Sequence, residues 1–280
     1  MQIWAHTLVR NEERYLWFSV MSVIDYVDKM LIWDTGSTDN TVQIIREIKK
    51  RYPEKVDFKK IGIVDPDKFT DIRQGMLNMT KSDWFIIVDG DEVWWNDSIK
   101  EIVDLINKDG NSLDSVVSKY YNIVGDIYHY QEERAGRYEI DGRIGHLNIR
   151  AMNRGIPGLK FKLPHGQQGI FDEADTLVQN RDKEKRKFLE EYAYLHFTHM
   201  NRSSSSEENL KVMKRNIKMK YELGIRFPYD FYYPEVFFIP RPYFVPSPWV
   251  KMTSDYYIKA LVETPIRKFK RRLIRTTSGY

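Results

Sequence analysis

The sequence predicts an α/β fold with a mainly parallel central sheet. Three apolar runs, at residues 2–9, 30–33 and 84–88, have the length and composition of buried strands. The first two runs are each followed by apolar residues at helical spacing, and a weaker strand at 56–63 precedes the third run. Strands that alternate with helices in this way form parallel sheets with helices on both faces.

Four helices are predicted in the first 110 residues from apolar residues spaced three or four apart. Asn11 is predicted to cap the first helix and Asp97 the last. In chain order the helices carry Leu16, Val20 and Ile24; Val42, Ile45 and Ile48; residues 71–79; and Ile99, Ile102, Val103 and Ile106. The alternation of strand and helix therefore extends over the whole first part of the chain.

The pattern changes after residue 110. Residues 115–124 are rich in β-branched and aromatic side chains, which predicts a strand. Ser205 and Glu208 form a capping-box pattern, which predicts a helix that continues through Tyr221 and stops at Gly224. Tyrosine, phenylalanine and proline are dense from 227 to 249, which suits neither a regular helix nor a central strand. We expect an α+β half followed by an irregular extension.

Composition limits the possible classes of protein and of site. The 280 residues are 42% hydrophobic and 30% charged, as is typical of a globular protein with one principal core. Cysteine is absent, so disulfides, thiolate zinc sites and cysteine nucleophiles are excluded, and histidines and carboxylates remain as metal ligands. No leader-like segment or long apolar window is present, so we expect a cytoplasmic protein that does not span a membrane.

The end of the sequence is strongly basic. After Glu263 there is no acidic residue, and the cations are Arg267, Lys268, Lys270, Arg271, Arg272 and Arg275. Clustered cations of this kind bind anionic lipid head groups or nucleic acid phosphates, although a solvated terminus has the same composition.

The most specific local feature is Val88-Asp89-Gly90-Asp91-Glu92, in which acids crowd the end of a buried strand. Neighbouring carboxylates repel one another, and a divalent cation relieves that repulsion. Oxygen ligands favour Mg²⁺ or Mn²⁺, which also neutralise diphosphates. The alternative is an ordinary polar loop after a strand.

Three loops are predicted to meet where the parallel strands end, at residues 9–12, 34–40 and 89–92. The loop from Asp34 to Asn40 is placed to hydrogen-bond a nucleoside. Arg73 precedes the acidic motif at a position from which it could contact the base or the phosphates. Together these features predict a nucleotide site.

The sequence resembles the family-2 glycosyltransferases in three ordered motifs. These are Leu8-Val9-Arg10-Asn11-Glu12, Asp34-Thr35-Gly36-Ser37-Thr38-Asp39-Asn40-Thr41 and Asp89-Gly90-Asp91. The resemblance covers about residues 1–110 and implies a Rossmann-like GT-A fold. It also implies metal-dependent, inverting transfer of a sugar from a nucleotide-diphosphate sugar to an acceptor hydroxyl.

The resemblance implies roles for individual residues. Asp34 would contact the nucleoside, Arg73 the nucleotide, and Asp89 and Asp91 the ribose or sugar and a Mn²⁺ or Mg²⁺ ion, with Asp91 as the direct ligand. The full set implied for the donor is Val9, Arg10, Glu12, Asp34, Arg73, Asp89 and Gly90. Thr35 stands where many relatives have a second aspartate, which leaves the base open, with UDP- and GDP-sugars expected first.

A histidine is implied as a further metal ligand, because relatives place one in a strand such as Tyr194–Met200. His199 is the first candidate, since its distance from Lys214-Arg215-Asn216 resembles the spacing in the family, and His196 is the alternative. Residues three apart in a strand point in different directions, so both are not expected to bind the ion. A structural role for either histidine is also open.

The base that would deprotonate the acceptor is less well defined. Relatives of this type carry a His-Glu pair after a Gly-rich strand, and the matching stretch, residues 158–166, has His165 but no glutamate. His165, Asp172 and Glu173 are the candidates. The missing glutamate is also compatible with a different activation of the acceptor, or with an altered or lost activity.

The resemblance divides the chain into three parts. Residues 1–110 would form the nucleotide-sugar-binding half of a GT-A domain, residues 111–224 its acceptor-binding half, and residues 225–280 an aromatic, Pro-rich and basic extension. The expected acceptor is a glycan or a lipid-linked glycan. The basic tail would hold the protein at the anionic cytoplasmic face of a membrane, and nucleic acid is not an expected partner.

Two other classes of protein fit parts of the sequence. Asp89 and Asp91 match the Asp-x-Asp motif of haloacid-dehalogenase-like phosphatases, as nucleophile and acid/base, although that motif normally follows the first strand of its domain. A non-catalytic binding module is the second alternative, because the aromatic residues of 227–249 could stack on sugars or bases. The same residues could instead simply pack on the sheet.

Overall fold

The computed structural model describes residues 1–65, 68–164, 168–205, 207 and 219–273. The strands are β1 (Ile3–Val9), β2 (Lys29–Asp34), β3 (Val56–Lys60), β4 (Trp84–Ile87), β5 (Glu92–Trp94), β6 (Ser115–Val124), β7 (Asp126–Tyr130), β8 (Tyr138–Ile140), β9 (Arg143–Gly145), β10 (Leu147–Asn153), β11 (Lys160–Lys162), β12 (Gly169–Phe171), β13 (Arg186–His196) and β14 (Ile225–Arg226). The helices are α1 (Leu16–Met21), α2 (Thr41–Arg51), α3 (Phe69–Met79), α4 (Asn96–Asp109) and α5 (Ser254–Leu273).

Most of the strands form one mixed sheet. Strands β3, β2, β1 and β4 are adjacent and parallel, as predicted. The sheet continues through β10, β6, β7 and β14, each antiparallel to its neighbour. Strand β13 runs parallel to β6 and antiparallel to the short β5. Strands from both halves of the chain therefore build one sheet, and the edge at which β1 and β4 end faces the second half.

The core explains why these segments form strands and helices. All four residues of β4 are buried, because helices or loops cover both faces of a central parallel strand. The helices bury one apolar stripe each: Ile44, Ile45 and Ile48 on α2, and Ile99, Ile102 and Ile106 on α4.

The beginning of α1 differs from the prediction. Asn11 does not cap the helix, which starts only at Leu16; its backbone has a φ of 52°. Its side-chain oxygen instead accepts a hydrogen bond from the Thr38 N–H at 2.8 Å, and its own N–H donates to Ser37 at 2.9 Å. Asn11 therefore ties together the loops that follow β1 and β2.

Asp97 is not the cap of α4. The helix starts one residue earlier, and the N–H of Asn96 donates to the Glu235 carboxylate at 3.0 Å. A glutamate that is distant in the sequence thus accepts a hydrogen bond from an N–H group at the start of the helix.

Only part of the helix predicted to start at Ser205 can be compared with the structure, because residues 206 and 208–218 lie outside the described residues. Its predicted end is wrong, since residues 219–224 are not helical. The Leu223 N–H donates to Thr264 and the Glu222 N–H to Tyr256, both on α5. Hydrogen bonds to another helix replace the bonds of a continuing helix.

The aromatic segment 227–249 contains a short 3₁₀ helix, Glu235–Phe238, and is otherwise irregular, as predicted. Many of its rings pack inward. Phe227 and Phe231 stack with their centroids 3.8 Å apart and contact Tyr121 of β6, and Phe237 packs against Phe18. Packing on the protein body therefore accounts for much of this aromatic content.

Helix α5 is the longest helix in the described part of the chain. None of the helices described combines the length and the apolar character needed to cross a bilayer.

Candidate active site

A cleft of about 760 Å³ opens where β1 and β4 end. Seven of the residues singled out in the sequence line it: Glu12, Arg73, Asp89, Gly90, Asp91, His196 and His199. The second half of the chain adds polar side chains that the sequence did not single out, among them Asn122, Gln131, His146, Arg150 and Arg202. The cleft is therefore shared by the two halves.

The segment Asp89–Asp91 is held tightly against the loop after β1. A Cβ on Gly90 would lie 3.0 Å from Val9 Cγ1 and 3.1 Å from Glu12 Cγ, closer than ordinary packing permits. Ser19 of α1 donates a hydrogen bond to the Asp89 carbonyl at 2.8 Å. Glycine at this position therefore lets the two loops meet.

Asp89 is bound by two arginines. Arg73 Nη2 on α3 lies 2.7 Å from one carboxylate oxygen, and Arg150 Nη2 on β10 lies 3.1 Å from the other. Burial alone would raise the pKa of Asp89, but the two guanidinium groups outweigh it and hold the pKa below its usual range. Asp89 is therefore an anion whose position is fixed from both sides.

Arg150 also binds the fully buried Glu92. Burial raises the pKa of Glu92 to about 8; Arg150 opposes this effect, while Asp89 and Asp91 add to it. One arginine therefore contacts two neighbouring carboxyl groups, one buried and one partly exposed. The sequence carries one sign of this role, which is a cation within the otherwise uncharged, buried strand β10.

Asp91 contacts the last residue of β13 and a residue of the loop that follows this strand. Arg202 Nη2 lies 2.6 Å from its carboxylate, and Arg202 also binds Glu12. His196 Nε2 lies 3.6 Å from the same Asp91 oxygen. Burial lowers the pKa of His196, so its ring is neutral near pH 7 and has a nitrogen lone pair to offer.

The two candidate metal histidines differ in their surroundings. His196 is the one beside Asp91, and its buried Nδ1 has no hydrogen-bond partner among the described residues. His199 Nε2 instead lies 3.1 Å from the Asn122 amide nitrogen. The described residues contain no cluster of three or more histidine or carboxylate side chains arranged around one point. Asp91 and His196 are thus a pair of donors rather than a complete metal shell.

The residues predicted to meet the nucleoside lie beside the cleft. The buried Asp34 carboxylate accepts hydrogen bonds from the N–H groups of Gly36 and Ser37 at 3.2 Å, and Thr35 donates to the Val9 carbonyl at 2.9 Å. Asp34 therefore shapes the loop after β2. Neither it nor Val9 and Arg10 is among the residues that line the cleft, and their contact with a nucleoside stays a prediction.

Of the three candidate bases, the two that the structure describes, Asp172 and Glu173, do not line the cleft that holds the acidic motif. Asp172 accepts hydrogen bonds from the N–H groups of Thr176 and Ala174 and pairs with Arg181, so it stabilises a turn after β12. Glu173 is exposed next to it, and neither residue lines the cleft. His165 lies outside the described residues.

His146, at the start of β10, is a cleft residue that the sequence did not single out. Burial lowers the pKa of its ring to about 4, although the Glu132 carbonyl opposes the shift. A neutral imidazole has the protonation state that a general base requires, but a pKa of about 4 makes this ring a weak base near pH 7.

A polar network that starts at Asn122 and Gln131 forms part of the cleft wall. Asn122 donates to Gln131 at 2.9 Å, and Gln131 donates to the buried Glu222 at 2.8 Å. Arg271 of α5 pairs with Glu222 at 2.6 Å. The C-terminal helix is therefore joined to the cleft wall through buried hydrogen bonds.

The sequence model described as "Glycosyl transferase family 2" matches residues 6–168, which is more than half of the chain. The chain belongs to this family. The match begins in β1 and includes all three motifs, so the family predicted from the sequence and its GT-A fold are confirmed. Membership of this family also decides against a haloacid-dehalogenase-like phosphatase.

Individual relatives of this family-2 chain are distant. The dTDP-rhamnosyl transferase RfbG of Shigella flexneri is 28% identical over 119 residues, which are 40% of each protein. S. aureus TarS 1-349, solved with UDP-GlcNAc, is 14% identical with a TM-score of 0.48, over 76% of this chain and 61% of TarS. The mannosyltransferase PcManGT of Pyrobaculum calidifontis, solved with GDP-Man and Mn²⁺, is 16% identical with a TM-score of 0.39, over 55% and 45%. The chain thus spans less than two thirds of each.

Proposed function

We propose that this chain transfers a sugar from a nucleotide-diphosphate sugar to an acceptor hydroxyl with the help of a divalent cation. The observation that carries the proposal is the meeting of Asp89, Asp91 and Arg73 in one cleft at the carboxyl ends of β1 and β4, in a family-2 chain. Ligands of open parallel sheets bind at that edge.

The charges in the cleft support a role for a cation. Four carboxyl groups, those of Glu12, Asp89, Asp91 and Glu92, are in contact with three arginines, Arg73, Arg150 and Arg202. Even with Glu92 protonated, this cluster has no net positive charge for a diphosphate. A divalent cation would supply positive charge that neutralises the leaving nucleotide.

Asp91 and His196 are the residues that would hold Mn²⁺ or Mg²⁺. Such ions commonly take only one or two protein ligands and complete their shell with substrate phosphate oxygens and water. Two donors 3.6 Å apart suit that arrangement. When bound, the ion would stabilise the negative charge of the departing diphosphate.

The chain's own residues would position both substrates. The loop that starts at Asp34 would hold the nucleoside, Arg73 the nucleotide, and Asp89 the ribose or sugar hydroxyls. The acceptor oxygen would attack the anomeric carbon as the bond to the diphosphate breaks on the opposite face, which inverts the configuration. The base is open between the predicted His165, Asp172 and Glu173 and the cleft residue His146, and the acceptor is a glycan or lipid-linked glycan.

To test this function, the protein is incubated with UDP-, GDP- or dTDP-sugars, with water as a slow acceptor. The release of nucleoside diphosphate is followed by chromatography. We expect release from one donor class, dependent on Mn²⁺. The dTDP-sugars are included because RfbG is named for such a donor. Free phosphate in place of nucleoside diphosphate would indicate a phosphatase, and binding without any release would indicate a non-catalytic module. Either result would contradict the proposal.

A further inference from the structure

Helix α5 carries a stripe of apolar side chains on the side that faces away from the protein body. Ile258, Val262, Ile266, Phe269 and Leu273 are each between 62% and 67% exposed. Their spacing of three and four residues puts them on one face of the helix. We call these five residues the α5 stripe. A continuous exposed apolar stripe of this kind marks an interaction surface more often than an ordinary soluble surface.

The opposite face of α5 fixes the helix to the body. Ala260 and Thr264 are buried, and Thr264 accepts a hydrogen bond from the Leu223 N–H at 3.0 Å. Arg271 pairs with the buried Glu222 at 2.6 Å. The helix is therefore docked through a different face, and the α5 stripe is left outward.

Cations border the α5 stripe on both sides. At the helical rotation of about 100° per residue, Lys259 and Lys270 lie along one side of it, and Lys268 and Arg272 along the other. All four side chains are exposed. Beyond Glu263, which pairs with Arg267 at 2.6 Å, the described part of the helix has no acidic residue. The surface is thus an apolar band with positive borders.

We propose that α5 binds flat on an anionic membrane surface. The α5 stripe would enter the boundary between head groups and acyl chains, and the four bordering cations would lie at the level of the lipid phosphates. A second copy of this chain complements the surface less well, because pairing two α5 stripes would bring rows of like charges together. The charge pattern therefore favours the bilayer.

Membrane binding would also orient the cleft. The Tyr256 hydroxyl of α5 donates to the Lys220 carbonyl at 2.6 Å, and the Lys220 side chain lines the cleft. The helix therefore lies behind one wall of the cleft. For the proposed transferase, on which this step alone rests, membrane binding would hold the cleft close to acceptors anchored in the same bilayer.

Sedimentation of the full chain with vesicles tests the proposal. Phosphatidylcholine vesicles that contain phosphatidylglycerol are compared with vesicles of phosphatidylcholine alone. We expect binding to the anionic vesicles, and a loss of about 100-fold in the variant K268Q/K270Q/R272Q, since each cation near such a surface contributes about fivefold. The variant V262S/I266S/F269S should lose binding as well. Ile144→Ser, a half-exposed apolar residue of β9, is the control and should bind like the wild type.

Three results would overturn the proposal: no binding to anionic vesicles, equal binding by the wild type and the serine variant, or a dimer in sedimentation velocity that the serine variant abolishes. The last would assign the α5 stripe to a second copy of the chain. Circular dichroism checks that the variants fold, and the substituted side chains are exposed. Nucleotide release in solution does not involve the α5 stripe, so its failure would concern the proposed activity and not this surface.

Discussion

Replacing Asp91 with asparagine is expected to lower the rate of metal-dependent sugar transfer by about 100-fold or more. Asparagine has nearly the same shape as aspartate but has no negative charge to hold a cation beside His196. The Asp91 side chain is 2% exposed, and its carboxylate also binds Arg202 at 2.6 Å, so some loss of stability is expected as well. Initial rates of nucleoside diphosphate release at increasing Mn²⁺ concentration measure the effect.

Asp104→Asn is the matched control, because it makes the same chemical change at an exposed position of α4. The control should keep the wild-type rate. Thermal unfolding of the Asp91 variant shows whether the protein is still folded at the assay temperature. If the Asp91 variant is folded and turns over at the wild-type rate, Asp91 is not a ligand of the proposed metal ion.

Replacing Arg150 with methionine is expected to destabilise the fold by about 3–5 kcal/mol near pH 8, because the buried Glu92 would lose its arginine partner and Asp89 one of its two. The loss should be smaller near pH 5. Glu92 has a folded-state pKa of about 8, above its usual value of 4.5. Its contribution to the stability of the fold is therefore present at low pH and is lost as the pH rises from 4.5 to about 8. Removal of Arg150 raises this pKa further and enlarges the loss.

Urea unfolding at about pH 5 and about pH 8 measures the free energy of unfolding of each variant. Arg143→Met, at a half-exposed surface pair with Glu190, should change that free energy by less than about 1 kcal/mol. The double variant R150M/E92Q should recover part of the loss, since it removes the carboxyl group of Glu92, whereas Asp89 keeps its contact with Arg73. Equal destabilisation at both pH values, or no recovery in the double variant, would argue against a shared role of Arg150.

The first half of the fold was predictable because its signals are local. The buried run of β4 and the helical spacing of Val42, Ile45 and Ile48 each define an element within a few residues. The acids Asp89 and Asp91 stand directly after such a run, so their place at the sheet edge followed from the strand order.

The partners of these acids were not predictable, because they come from other parts of the sheet. Arg150 reaches Asp89 because β10 lies antiparallel beside β4, and Arg202 reaches Asp91 after β13 pairs with β5. Neither pairing has a sequence signal.

Tertiary contacts also overrode local preferences. Asn11 has the chemistry of a helix cap but bonds to Thr38 in another loop. Residues 219–224 continue a helical pattern in sequence but donate their hydrogen bonds to α5 instead. The prediction of His199 rather than His196 as a metal ligand rested on a spacing along the chain. Such a spacing does not determine which histidine ring lies beside Asp91.

Binding of nucleoside diphosphates tests the central claim most directly, since it requires only the cleft and no knowledge of the acceptor. The measurement is the thermal unfolding temperature of the purified chain with UDP, GDP, CDP and dTDP, each with and without Mn²⁺, because a ligand of the native state raises that temperature. The account predicts a Mn²⁺-dependent rise for one of the diphosphates, reduced in the Asp91→Asn variant. No rise with any diphosphate, or a rise that the variant leaves unchanged, would contradict it.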